Sequence, residues 1–174
     1  TMSSQLRVDK IVPVDGAPSG GGGGIVQVVQ TIKKDTFITA SVVSSGGYVD
    51  ITGFSATITP KFNTSKILVK AVIYNSNANA VNFFRALRGS TFIEQPSGTS
   101  SSGASYNAHA FAYYNADNWQ DSTTIEILDS PTTTSATTYK IQMGVSSNTG
   151  TINKFYGTSN YYGISTLTLY EVSA

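Results

Sequence analysis

Alternation with a period of two residues runs through most of this chain, and it admits few folds. Phe54, Ala56 and Ile58 alternate with Ser55, Thr57 and Thr59 before Pro60 ends the run. Tyr139, Ile141, Met143 and Val145 alternate with Lys140, Gln142 and Gly144. Val81, Phe83, Arg85 and Leu87 alternate with Asn82, Phe84, Ala86 and Arg88. Such a pattern places one apolar face on a core and the other towards solvent, as in an antiparallel sheet. No stretch carries a helical period over even three turns. Further strands are expected over 25–32, 36–43, 48–51, 65–74, 91–95, 106–114, 122–129, 151–156 and 164–172. Turns fall at Asn75–Asn79, Gly89-Ser90, Ser130-Pro131 and Ser146–Gly150.

About ten short strands at this spacing predict an all-β, antiparallel β-sandwich of jelly-roll type. The expected core contains Phe54, Ile58, Leu68, Ile73, Phe83, Leu87, Ile125, Ile127, Ile141, Met143 and Leu167. Composition agrees: 23 Ser and 22 Thr decorate the surface of a chain of 174 residues with only 12% charged residues. At this length one domain can bury a substantial core.

The N-terminal part reads differently. Residues 5–14 form a short extended arm whose large apolar residues are Leu6, Val8, Ile11, Val12 and Val14. Gly20–Gly24 follows, a run with no preferred geometry. The chain therefore divides into an arm with a glycine joint, 1–24, and a sandwich head, 25–174.

Several function classes fall away. Eleven basic and ten acidic residues leave a net charge of +1, so nothing draws the chain to nucleic acid. Cys is absent, which removes thiol catalysis and thiolate metal sites. No apolar run approaches the length of a membrane helix, and no signal-peptide pattern opens the chain, so neither membrane insertion nor signal-directed secretion is expected. His109 is the single histidine, set among small residues, and no nucleophile elbow accompanies it. Asp117, Asp121, Glu126 and Asp129 cluster in sequence, but turns attract Asp for local hydrogen bonds. No catalytic residue, metal ligand or cofactor is expected.

Aromatics in polar loops are the stronger signal. Trp119 follows Tyr114 in one such loop, and Tyr161-Tyr162 occupies another. Flat rings with polar tips suit sugar rings or protein contacts. Loops on a rigid sandwich are where binding residues collect. A receptor site is therefore expected on the loops 96–105, 115–121 and 157–163. Its contacts are Trp119, Tyr114, Tyr161 and Tyr162, with Asn115, Asn118 and Asn160 as hydrogen-bonding partners.

A resemblance is carried by a series of segments in consistent order. They are Ser4-Gln5-Leu6-Arg7-Val8-Asp9-Lys10-Ile11, Gly24-Ile25-Val26-Gln27-Val28-Val29-Gln30-Thr31, and Ile51-Thr52-Gly53-Phe54-Ser55-Ala56-Thr57-Ile58-Thr59-Pro60. Ser65-Lys66-Ile67-Leu68-Val69, Arg88-Gly89-Ser90-Thr91, Leu128-Asp129-Ser130-Pro131 and Ala136-Thr137-Thr138-Tyr139-Lys140 follow. Ser165-Thr166-Leu167-Thr168-Leu169-Tyr170-Glu171-Val172 closes the series. In these segments the chain resembles small tail-fibre or virion structural proteins of tailed phages of marine bacteria and cyanobacteria. The resemblance implies a non-enzymatic virion protein, made in the host cytoplasm and carried on the extracellular particle. It implies a short homotrimeric tail fibre whose arm docks on other virion proteins. The head would bind a host-surface polysaccharide or outer-membrane protein. A capsid decoration, cement or head-fibre protein that stabilises the shell is the alternative, and a cellular carbohydrate-binding module is a second.

Overall fold

The computed structural model describes residues 24–98, 106–115, 119–157 and 160–173. The expected docking residues Leu6, Val8, Ile11, Val12 and Val14 lie outside these. Eleven strands form in order: β1 (Ile25–Lys33), β2 (Phe37–Thr39), β3 (Val49–Ile58), β4 (Lys66–Asn77), β5 (Val81–Arg88), β6 (Thr91–Phe92), β7 (Ala110–Tyr113), β8 (Gln120–Asp129), β9 (Thr137–Val145), β10 (Gly150–Ile152) and β11 (Ser165–Val172). A single 3-10 turn, Val43–Ser45, is the one helical element among the described residues. The strands make two antiparallel sheets packed as a jelly-roll-like sandwich. The first sheet runs β1-β11-β4, with β8 on the far side of β4, and β10 and then β2 joined near the end of β4. The second runs β3-β9-β5, with β6 and β7 both paired to β5.

Period-two alternation decides which side chains go inside. On β4, Ile67, Val69, Ala71 and Ile73 are fully buried, while Leu68, Lys70, Val72 and Tyr74 between them face outward. Each such inward Val or Ile contributes about 1.5–3 kcal/mol of burial. Phe54, Ile58, Ile73, Leu87, Ile125, Ile141, Met143 and Leu167 are buried as expected, and Ile127 packs against the core from its margin. Leu68 and Phe83 do not belong to the core. Each lies one residue out of phase with it, Leu68 between Ile67 and Val69, and Phe83 beside the buried Phe84.

The two short strands expected at 48–51 and 54–59 are one strand, β3, with a bulge. Its register against β9 shifts between Asp50 and Ser55, and Gly53 takes φ of 73°. The shift lets Ile51 and Phe54 both face the core, although they stand an odd three positions apart. The expected turn at Asn75–Asn79 also differs, because β4 continues through Asn77.

Buried polar groups join the two sheets at both ends. At one end Asp129 of β8 receives Arg88 of β5 on both carboxylate oxygens, at 3.0 and 2.8 Å, and the Tyr139 hydroxyl of β9 at 2.6 Å. Burial and the adjoining carboxylate push the Tyr139 hydroxyl pKa upward. Nearby, Glu171 is fully buried and accepts from Gln27 Nε2 at 2.5 Å and from the Lys61 backbone N–H at 2.6 Å. At the other end, Asn82 of β5 donates through Nδ2 to Asn75 Oδ1 of β4 at 2.9 Å and to the Ser76 carbonyl at 3.0 Å. Asn77 donates to Asn82 Oδ1 at 2.7 Å, and Asn75 donates to Thr123 Oγ1 of β8 at 2.9 Å. The Tyr114 hydroxyl lies 2.8 Å from both the Asn75 carbonyl and Asn75 Oδ1. Its one proton is shared between the two acceptors.

Two stability outcomes follow from these end networks. Tyr114→Phe leaves the Asn75 acceptors short of a donor and costs about 1–3 kcal/mol. A thermal melt should show a fall of roughly 2–4 °C per kcal/mol, and an unchanged midpoint would refute the role given to the hydroxyl. For Glu171, burial alone would raise the pKa, but the hydrogen bonds outweigh it and hold the carboxyl below its ordinary 4.5. Its stabilisation is therefore complete above the ordinary value and is lost as pH falls through the lower folded one. Glu171→Gln should melt earlier at neutral pH, and its stability should fall less steeply than that of the parent in acid.

Candidate functional site

The sandwich has two chemically distinct ends, and the pairing register shows which loops share each. Ile25 pairs with Val172, and Val172 with Lys66, so the start of β1, the end of β11 and the start of β4 lie together. Gly24 sits there, its carbonyl accepting from the Ser173 backbone N–H and its own N–H donating to the Ser173 hydroxyl. This is the end at which residues 1–23 join the sandwich. β4 runs away from it for twelve residues, about 40 Å at strand rise. At its far end Asn75 pairs with Asp121 on one side and with Ile152 on the other.

Two aromatic loops therefore flank the same far end. On one side Trp119 immediately precedes Gln120, which pairs with Ser76. Tyr113, Tyr114, Asn115, Trp119, Gln120 and Asp121 line a concavity of about 480 Å³. On the other side the Ser76 hydroxyl donates to the Lys154 carbonyl at 3.0 Å, and Lys154 bridges to Tyr162. Tyr161 meets Phe155 edge-on at 5.8 Å between ring centres. Trp119, Tyr161 and Tyr162 are each about two-thirds exposed, at 63%, 67% and 63%. Asn115 and Asn160 are exposed beside them.

Tyr114 departs from the expected role of an open contact. It is 3% exposed, its hydroxyl is engaged by Asn75, and burial pushes its pKa up. Its neighbour Tyr113, 68% exposed, is the ring the sequence reading passed over. The signal was present: Ala110 and Ala112 on the inward face of β7 put Tyr114 in phase with them and Tyr113 out of phase. Asn118 lies outside the described residues, as does most of the 96–105 loop. The flanks of that loop are anchored elsewhere. Ile93 and His109 border the second half of β5, whereas Tyr113 and Tyr114 border its start. Of the expected contacts, Trp119 and the Tyr161-Tyr162 pair share the far end.

His109 is held as a structural group. Its Nδ1 accepts the Ala86 N–H at 3.0 Å, which leaves Nε2 to donate to the Ile93 carbonyl at 2.7 Å. Burial lowers its pKa. The carboxylates of β8 are separately engaged. Asp129 is paired with Arg88, Glu126 with Lys70 at 3.1 Å, and Asp121 accepts from the Ser122 N–H at 2.7 Å. Among the described residues no three His, Asp or Glu side chains gather where they could hold a metal ion.

No protein-family model matches the chain, and no curated protein matches it. Among solved structures, it is similar to a chain of the "Structure of infectious bursal disease virus Gx strain", with 16% identity and a TM-score of 0.38. The alignment covers 99% of this chain and 43% of that one, so the chain spans less than half the length of this viral neighbour.

Proposed function

We propose that this chain is a non-enzymatic virion structural protein, a short trimeric tail fibre whose head binds a host-surface polysaccharide or outer-membrane protein. One observation carries the reading: Gly24, where the N-terminal segment joins, lies at one end of the sandwich, and the exposed rings of Trp119, Tyr161 and Tyr162 lie at the other. Such a polarity suits a protein fixed to a particle at its N-terminus and presenting a surface outward. Aromatic faces beside amide side chains suit sugars, with rings stacking and Asn115 or Asn160 bonding hydroxyls. Each site would be weak, with Kd of about 1 mM, and repeated copies would raise the avidity by about 10²–10⁴.

The outer face of the first sheet supports assembly. Val28, Tyr170, Leu68 and Leu128 stand in register across four strands, and Ile25 and Ile32 extend the patch along β1. Val28, Leu128, Ile25 and Ile32 are all about half exposed or more. Two further copies covering such patches would complete a closed cyclic trimer. Val28→Lys should then give a monomer by light scattering with an unchanged circular dichroism spectrum. A parent protein that is itself monomeric at micromolar concentration would reject the trimer.

Trp119→Ala tests the receptor surface. Binding to host cells or their isolated polysaccharide should be lost, while the melting temperature stays within about 2 °C of the parent, as for an exposed side chain. A lowered melting temperature with adsorption intact would make Trp119 a packing residue and remove the main contact from this reading.

A further inference from the structure

A second site is built on the outer face of the second sheet, on the flank of the sandwich rather than at its far end. At its centre is Arg85, which alternation on β5 points outward opposite the buried Phe84 and Ala86. Its guanidinium carbon lies 4.0 Å from the centre of the Tyr48 ring and 5.3 Å from that of Phe92. Both rings are braced. The Tyr48 hydroxyl donates to the Asn107 carbonyl at 3.0 Å, and Phe92 meets the His109 ring edge-on at 4.7 Å. The orientation of the guanidinium is also fixed, through a relay of hydrogen bonds. Lys140 Nζ holds Asp50 Oδ2 at 2.8 Å, and Gln142 Nε2 donates to Asp50 Oδ1 at 2.6 Å. That leaves Gln142 Oε1 facing Arg85, which donates to it through Nε at 2.7 Å.

With Nε engaged, the two terminal nitrogens remain. Among the described residues neither has an acceptor within hydrogen-bond distance. Beside them opens a concavity of about 310 Å³, whose wall includes Tyr48, Arg85, Ser90, Phe92, Gln95 and Asn107. Asp50 already shares its charge with Lys140, so the cluster of Lys140, Asp50 and Arg85 carries one net positive charge.

We propose that this concavity binds a small carboxylate-bearing sugar unit of the hexuronate class. The carboxylate takes the two free Arg85 nitrogens as a bidentate pair, the planar geometry that guanidinium matches best. The single net charge fits a monoanion. The volume is at the lower end of small-ligand sites and holds one sugar ring, and Ser90, Gln95 and Asn107 supply hydroxyl partners. A carboxylate side chain from a partner protein would occupy only a fraction of that space. The inference does not depend on the far-end receptor surface.

The experiment follows the aromatic resonances of Tyr48 and Phe92 by NMR while the full chain is titrated with sodium glucuronate, glucose or sodium acetate. Glucuronate should shift them saturably with Kd of about 1 mM, glucose should not, and acetate should bind at least about tenfold more weakly. Arg85→Lys keeps the charge but loses the fork, and should weaken glucuronate about tenfold or more. Gln95→Ala, at an exposed position, should weaken glucuronate without changing acetate. Trp119→Ala should leave glucuronate binding intact, so that this site and the far-end surface fail separately. No saturable shift with glucuronate in the parent, or unchanged affinity in Arg85→Lys, overturns the proposal. Acetate binding as tightly as glucuronate would overturn the sugar assignment in favour of a partner protein's carboxylate.

Discussion

The amide cluster of Asn75, Asn77 and Asn82 is the constraint on which the far end of the molecule depends. The chain leaves the first sheet at Asn77 and enters the second at Val81, so the crossover brings a polar segment to the boundary of a dry interior. A buried amide without partners costs several times what a bonded one contributes. Here Asn82 spans the gap with both ends of its amide, and Asn75 uses its own to reach β8 and to receive Tyr114. Gly150 leaves the room this requires, since a Cβ there would stand 2.5 Å from Asn82 Oδ1. The network thus fixes the ends of β4, β5, β7 and β8 relative to one another, and with them the roots of the loop that carries Trp119.

The opposite end is joined chiefly through two carboxylates. Asp129, Arg88 and Tyr139 link β8, β5 and β9, while Glu171 ties the turn after β3 to β1 and β11. The bonds to Glu171 are lost as its carboxylate protonates, whereas amide hydrogen bonds do not titrate.

Alternation made most of the fold legible, because a half-buried strand writes its burial into every second residue. It was less informative where both neighbours are apolar. Leu68 between Ile67 and Val69, and Phe83 beside Phe84, offer two equally apolar phases, and only the facing sheet decides between them. The bulge at Gly53 hid a continuous strand behind an apparent break in phase. Asn75-Ser76-Asn77 reads as a turn by composition, since nothing local reveals that the Asn75 amide and the Asn77 Nδ2 find partners across the sandwich. The far-end rings were legible as loop aromatics, but the inward phase of Tyr114 outweighs its loop position. Arg85 was read only as an alternating strand residue. Its meaning depends on Tyr48, Phe92 and Gln142, which come from three other segments and meet only in the fold.

The outer faces of the two sheets differ in a way that bears on their use. The face on the first sheet is apolar across four strands, interrupted by the Lys70–Glu126 pair, and its side chains are short of partners. The face on the second sheet carries the 3-10 turn at Val43, whose side chain presses on Gly144, and a charged relay that holds one guanidinium in place. Covering the first face with other copies would remove apolar surface from water, and the charges it would desolvate, Lys70 and Glu126, are already paired with each other. Covering the second would bury Arg85, whose terminal nitrogens find no acceptor among the described residues, and a buried charge without a good partner is expensive. Assembly through the first face is therefore the favourable arrangement. It would leave the relay on the second sheet and the rings at the far end open to solvent together.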